Sequence, residues 1–136
     1  MSAISEQAAR RVLEESPFAR WWGFVLESLG EGTAAVRLPA RDEFIRPGGY
    51  LQGGASMALA DVAFWLALMT KTGEERMALT LEMKTSFLRA ARSDLLCDAR
   101  VLKAGRRIVY GVASTMDTGG ELVAHHTLTY MRPTAP

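Results

Sequence analysis

A single cysteine, Cys97, is all the thiol chemistry this chain has, so it has no internal disulfide and no multi-cysteine metal site. Cys97 lies in the apolar run Leu95-Leu96-Cys97 and reads as a small core residue rather than a reactive thiol. An excess of one charge sign is missing too. The 16 Lys and Arg against 15 Asp and Glu leave a net charge of +1, which gives no global field for nucleic acid or an anionic membrane. The most apolar stretch, residues 55–69, is interrupted by Ser56 and Asp61 and falls short of the roughly 18–20 residues a spanning helix needs. A buried helix is expected there, with neither membrane nor nucleic acid as a partner. Residues 1–11 contain Glu6 and no long apolar run, unlike a secretory signal, so the cytoplasm is the expected compartment. No repeat, low-complexity tract or long linker interrupts the chain. With 136 residues, 49% hydrophobic and 23% charged, it fits one folded domain over residues 1–136, a helical segment 1–17 preceding a core 18–133.

Residues 5–15 have helical composition, and Ser16-Pro17 marks the end of that helix or the start of a second short turn. Phe18, Trp21, Trp22 and Phe24 form an aromatic cluster expected in the core or at an interface. Strands are then predicted at 24–28 and 33–38, followed by a Pro- and Gly-rich loop at 39–49. Gly53-Gly54 opens the apolar helix, which runs to about Lys71 before Gly73. Four more strands follow, at 79–88, 94–103, 107–116 and 121–131, the last two joined by the hairpin signal Asp117-Thr118-Gly119-Gly120. In the first of these, Leu79, Leu81, Met83, Thr85 and Phe87 share a mostly buried face, and Thr80, Glu82, Lys84 and Ser86 the polar one. The prediction is an α+β fold in which a curved antiparallel sheet of five or six strands wraps one long apolar helix. Such a helix lacks the polar face of a surface helix, so a second subunit is expected to cover its other side.

Asp61 sits in that helix between Ala60 and Val62. A buried carboxylate is costly unless paired or hydrogen-bonded, and aspartate is a poor residue for a helix interior. Breaking two local rules at one position marks a candidate functional residue, the alternative being a structural Asp satisfied by an arginine or the backbone. Gly53-Gly54 is the second feature. The start of a helix offers free N–H groups and the positive end of its dipole, and bare glycines let a carbonyl approach. An ordinary loop-to-helix transition would show the same dipeptide. Together the two features suggest acyl transfer, with backbone N–H groups polarising a thioester carbonyl while a carboxylate activates water or attacks directly. Asp61 follows Gly54 by seven residues, on the order of 10 Å at 1.5 Å per residue. A symmetric dimer with antiparallel helices would set one chain's Gly53 opposite the other's Asp61.

From Gly48 to Asp61 the chain resembles the hot-dog thioesterase superfamily, most closely its PaaI-like (phenylacetate-pathway type) acyl-CoA thioesterases. Their signature is His-Gly-Gly opening the central helix, with an acidic residue nine positions after the His. Here Gln52 takes the His position and Asp61 is nine later. The likeness runs from about Phe18 to Pro133 and includes the strand 79–88, a turn at Gly105-Arg106 and the Gly119-Gly120 hairpin. It implies a hot-dog fold, hydrolysis of an acyl-CoA to free acid and CoA, and dimers, often paired into tetramers, with the site at a subunit interface. It implies no cofactor beyond the CoA of the substrate. By the same likeness Asp61 matches the catalytic base or nucleophile, Gly53 the backbone donor to the thioester, and Thr80 a hydroxyl that orients the attacking water. Two departures stand out. Gln52 cannot titrate, so any proton role of the usual His is gone. Arg46 replaces an Asn common in relatives, and is placed either to pair with Asp61, weakening it as a base, or to contact substrate.

Phosphates of CoA need cations, and Lys84, Arg89, Arg92, Lys103, Arg106 and Arg107 lie at predicted strand ends or turns. Gly54 belongs with the substrate-binding residues. Met57, Phe64, Trp65 and Leu68 are candidates to line an acyl pocket for a short, medium or aromatic acyl group. His125 and His126, adjacent on a strand, point to opposite faces and do not chelate one metal together. The rival reading is a non-catalytic acyl-CoA or small-hydrophobe binding protein on the same fold. A hot-dog dehydratase is a third, and it lacks its usual histidine near the helix.

Overall fold

The computed structural model describes residues 1–134. Ser5 caps the first helix, α1 (Glu6–Glu15), its hydroxyl accepting from the Ala8 N–H at 3.0 Å. Pro17 then starts a second helix, α2 (Pro17–Trp22), at the position where its missing N–H costs nothing. Gly23, at φ 83°, turns the chain into strands β1 (Val25–Gly30) and β2 (Thr33–Leu38). The loop expected at 39–49 contains a 3-10 turn (Asp42–Phe44) and a two-residue hairpin, β3 (Ile45–Arg46) with β4 (Tyr50–Leu51), turned by Gly48 and Gly49 at positive φ. The long helix α3 (Gly53–Thr72) follows, then β5 (Leu79–Phe87), β6 (Leu95–Ala104), β7 (Ile108–Met116) and β8 (Leu122–Met131).

The six long strands form one antiparallel sheet in the order β1-β2-β6-β7-β8-β5, and α3 packs on its inner face. This is the hot-dog fold. Gly111 on β7 lets the Phe64 ring reach the sheet, because a Cβ there would collide with that ring and with the Arg100 carbonyl. Cys97 is wholly buried, and burial pushes its thiol up to about 12, as a core residue requires. At 20 residues α3 is long and apolar enough to cross a membrane, yet most of its surface is covered by the protein itself.

Two expectations need correction. The first concerns how α3 is covered. From Val62 to Thr70 every residue is buried within one protomer. The N-terminal segment contributes: Ile4 is in the core, the Ala3 N–H donates to the Thr70 carbonyl, and Phe18 lies 5.9 Å from Trp65. Apart from Lys71 and Thr72 at its C-terminal end, the helix is left half-buried along one stripe, at Gly53, Gly54, Met57, Ala58 and Asp61. The second concerns β5. It is an edge strand paired only to β8, and the supposedly buried face is largely open, with Leu79 63%, Leu81 49% and Phe87 55% exposed. A bulge between Thr80 and Glu82 also breaks the alternation. It turns Thr80 to the helix side, with Met83 and Thr85, and away from Glu82, Lys84 and Ser86.

Candidate functional site

Asp61 occupies the last open turn of the α3 stripe, beside the start of β5 and the end of β8. Thr80 and Tyr130 are register partners across those two strands, which sets their hydroxyls side by side. The Thr80 hydroxyl donates to Asp61 Oδ1 at 2.7 Å, and the Tyr130 hydroxyl donates to the same oxygen at 2.6 Å. Among the described residues Oδ2 has no protein partner. Tyr130 is 3% exposed, with its ring 5.3 Å from that of Phe64. Burial, and then the Asp61 charge, hold its phenol well above the usual tyrosine range, so it remains a donor. A cleft of about 220 Å³ opens over this group, lined also by Phe18, Val62, Trp65, Arg76, Ala78 and Leu79. Arg76 does not neutralise Asp61; its guanidinium is bound to Glu15 and Glu74, both at 2.9 Å.

The helix start lies elsewhere. Gln52 is the N-cap residue, its N–H bound to the Phe44 carbonyl at 2.8 Å and its side chain folded over Gly54. Gly53 follows as the first helical residue, and a Cβ on it would lie 2.9 Å from the Phe87 ring. First-turn N–H groups have no acceptor within their own helix, so those of Gly53 and Gly54 are available to a ligand. Eight residues separate Gly53 from Asp61, about 12 Å of helix. Asp61 and Thr80 therefore meet in one protomer, while Gln52, Gly53 and Gly54 stand at the other end of the stripe. Arg46 is exposed on β3, its guanidinium over the Tyr50 ring and its Nε donating to the Pro47 carbonyl. Of the two roles open to Arg46, the pair with Asp61 does not form within the chain. Beside Gln52, a cleft of about 280 Å³ is walled by Trp21, Trp22, Phe44, Ile45 and Arg46.

The acyl-pocket candidates divide. Trp65 lines the Asp61 cleft, whereas Phe64 and Leu68 are sealed in the core and line nothing. Phe18, from the aromatic cluster expected in the core or at an interface, is half exposed at the cleft mouth. The cations divide as well. Arg89 pairs with Asp117 and Arg92 donates to the Gly48 carbonyl, both at the far end from Asp61. Arg106 joins Lys103, Arg107 and Arg132 around a cavity of about 1000 Å³, lined also by Ile108, Tyr110 and Glu75, which pairs with Arg132 at 2.6 Å. His126 is wholly buried, with Thr85 on Nδ1 and Thr115 on Nε2, a core histidine and no ligand.

Tyr130 is the residue that sequence reasoning missed. The strand at 121–131 puts it in phase with the inward set Ala124, His126 and Leu128, and a buried tyrosine hydroxyl needs a partner. That signal was present; the partner's identity was not.

A hot-dog sheet with a carboxylate on its central helix defines a class of protein, and the comparisons give the family. The thioesterase superfamily model matches residues 48–124, and the chain belongs to that family. Among solved structures, the conserved protein PA5202 of Pseudomonas aeruginosa is 36% identical, with a TM-score of 0.84 over 90% of this chain and 98% of that one. The phenylacetic acid degradation protein PaaI of Thermus thermophilus is 28% identical, with a TM-score of 0.77 over 87% and 100%. The E. coli PaaI protein, from the phenylacetic acid degradation operon, shares the fold at 22% identity and a TM-score of 0.85 over 95% and 93%.

Proposed function

We propose that the protein hydrolyses acyl-CoA thioesters, with the Asp61 carboxylate as general base or nucleophile. The observation that carries this reading is a carboxylate fixed through one oxygen by two hydroxyls while the other faces an open cleft. As a base, Oδ2 takes a proton from water as the water oxygen bonds to the thioester carbon. The C–S bond then breaks, and the CoA sulfur leaves as a thiol carrying the proton that Oδ2 had taken up, which restores the carboxylate. The Thr80 hydroxyl spends its one hydrogen on Asp61, and its lone pairs remain to accept from that water. Backbone N–H groups at Gly53 and Gly54 would stabilise the developing oxyanion.

Those groups are too far from Asp61 along one helix, so a second copy of the chain is part of the proposal. The open edge of β5 and its exposed Leu79, Leu81 and Phe87 suit antiparallel pairing with its own copy. Thr80 lies near one end of β5 and Phe87, which covers Gly53, at the other. Such pairing sets Asp61 of one protomer near Gly53 of its partner, with Gln52 beside it. The 220 Å³ cleft with Phe18 and Trp65 favours a compact acyl group, and an aromatic one fits both rings. The PaaI neighbours, named for phenylacetic acid degradation, point the same way. Arg106 and its neighbours supply cations for the nucleotide phosphates of CoA, and Arg46 lines the second aromatic cleft beside Gln52.

Asp61→Asn keeps an acceptor for both hydroxyls and removes the base. We expect turnover of phenylacetyl-CoA, followed by thiol release, to fall at least about 100-fold with the fold retained. Undiminished hydrolysis by this variant would refute the assignment. Tight acyl-CoA binding by wild-type protein without thiol release would point instead to a binding protein.

A further inference from the structure

Resting on that reading and deepening it, we infer that Tyr130 is a positioning residue for the Asp61 carboxylate: with Thr80 it pins Oδ1 and so presents Oδ2 as the single reactive oxygen. The Tyr130 oxygen lies 2.6 Å from Asp61 Oδ1 and 2.9 Å from the Asp61 main-chain carbonyl. A phenol has one hydrogen, and an ionised carboxylate is a stronger acceptor than a helical carbonyl that already accepts from its own helix. The shorter contact is the one to the carboxylate. Thr80 adds a second donor at 2.7 Å. Rotation of the carboxylate about its Cβ–Cγ bond would break both bonds together.

The supports of these donors are rigid. Tyr130 and Thr80 are register partners on adjacent strands. The tyrosine ring is held against Phe64, which is itself wholly buried under Gly111. The hydroxyl therefore has no room to swing away, and burial keeps it protonated. The titratable and charged groups lining the cleft with Asp61 are Tyr130 from β8 and Arg76 from the segment before β5, and Arg76 is committed to Glu15 and Glu74. No cation takes over the carboxylate if the phenol is removed. Orientation of a reacting group within a near-attack geometry is worth large factors in rate, so loss of one of two pins should be felt in kcat rather than in binding.

Tyr130→Phe keeps the ring against Phe64 and deletes only the hydroxyl. We expect kcat to fall roughly 10-fold with KM changed less than about twofold. Asp61→Asn is assayed alongside. If it stays active, the underlying reading fails. If it is inactive while Y130F has a wild-type kcat, or a KM raised as much as its kcat is lowered, the role of Tyr130 is overturned. Should Y130F fold poorly by thermal denaturation, wild-type protein carrying 3-fluorotyrosine at its three tyrosines decides the matter. With the Tyr50 and Tyr110 signals assigned through their Phe variants, the Tyr130 fluorine resonance should differ between the wild type and D61N, because the phenol loses its charged acceptor. A Tyr130 resonance at the same position in both proteins overturns the inference.

Discussion

His126 is held between two threonine hydroxyls, 2.8 Å from Nδ1 and 2.9 Å from Nε2, with no exposure to solvent. Burial, and then its neighbour His125, push its pKa down to about 4. An unfolded chain binds the same proton near the ordinary value of about 6.5. Stability from this residue is therefore full above that pH. It is lost as the pH falls toward 4, because only the unfolded chain takes up the proton in that window. The gap corresponds to about 3 kcal/mol. Denaturant unfolding at pH 7 and pH 4.5 should show this loss in the wild type and a much smaller one in His126→Gln. Equal losses in both proteins would remove His126 as the cause. The same economy of hydroxyls serves Asp61, whose charge is met by Thr80 and Tyr130 and by no arginine.

At the scale of elements, the half-open stripe of α3 and the unpaired edge of β5 tell one story. A helix so apolar is sealed by its own sheet over its C-terminal half, and the bare N-terminal stripe runs from Gly53 to Asp61. Gly53→Pro deletes the first helical N–H, Gln52 already has the extended backbone that precedes a proline, and the exposed Phe87 ring must turn aside to admit the new Cβ. If each site takes Asp61 from one protomer and Gly53 from the other, D61N and G53P homodimers are both inactive. Mixed and reassembled, half of the dimers become heterodimers, each with one intact site. About a quarter of wild-type activity should then return. A mixture no more active than its parents would confine the site to one chain.

Across the whole molecule, Asp61 with its two hydroxyls and the Arg106 cavity lie at one end, and the helix start with its aromatic cleft at the other. Arg106 stands in the turn between β6 and β7, beyond the sheet end where Thr80 and Tyr130 pair. A CoA nucleotide seated there would leave its pantetheine arm to reach a carbonyl. Arg106→Glu should raise KM for an acyl-CoA about tenfold and leave KM for the matching N-acetylcysteamine thioester, which carries no phosphate, unchanged. Equal effects on both substrates would take the phosphates away from this cavity. Increasing salt should weaken only the CoA substrate.

The sequence was enough for the α+β architecture, the six long strands, the apolar helix and the suspicion attached to Asp61. Each rests on local periodicity or on a charge out of place, and both are properties of neighbours along the chain. It misjudged β5, since one inserted residue at the bulge exchanges the faces of a strand without altering its composition. It also passed over Tyr130, sixty-nine residues from the carboxylate it touches. Which hydroxyls meet Asp61, and which of its oxygens stays free, depends on the register of β5 against β8. That register is a long-range pairing settled only when the sheet closes over the helix.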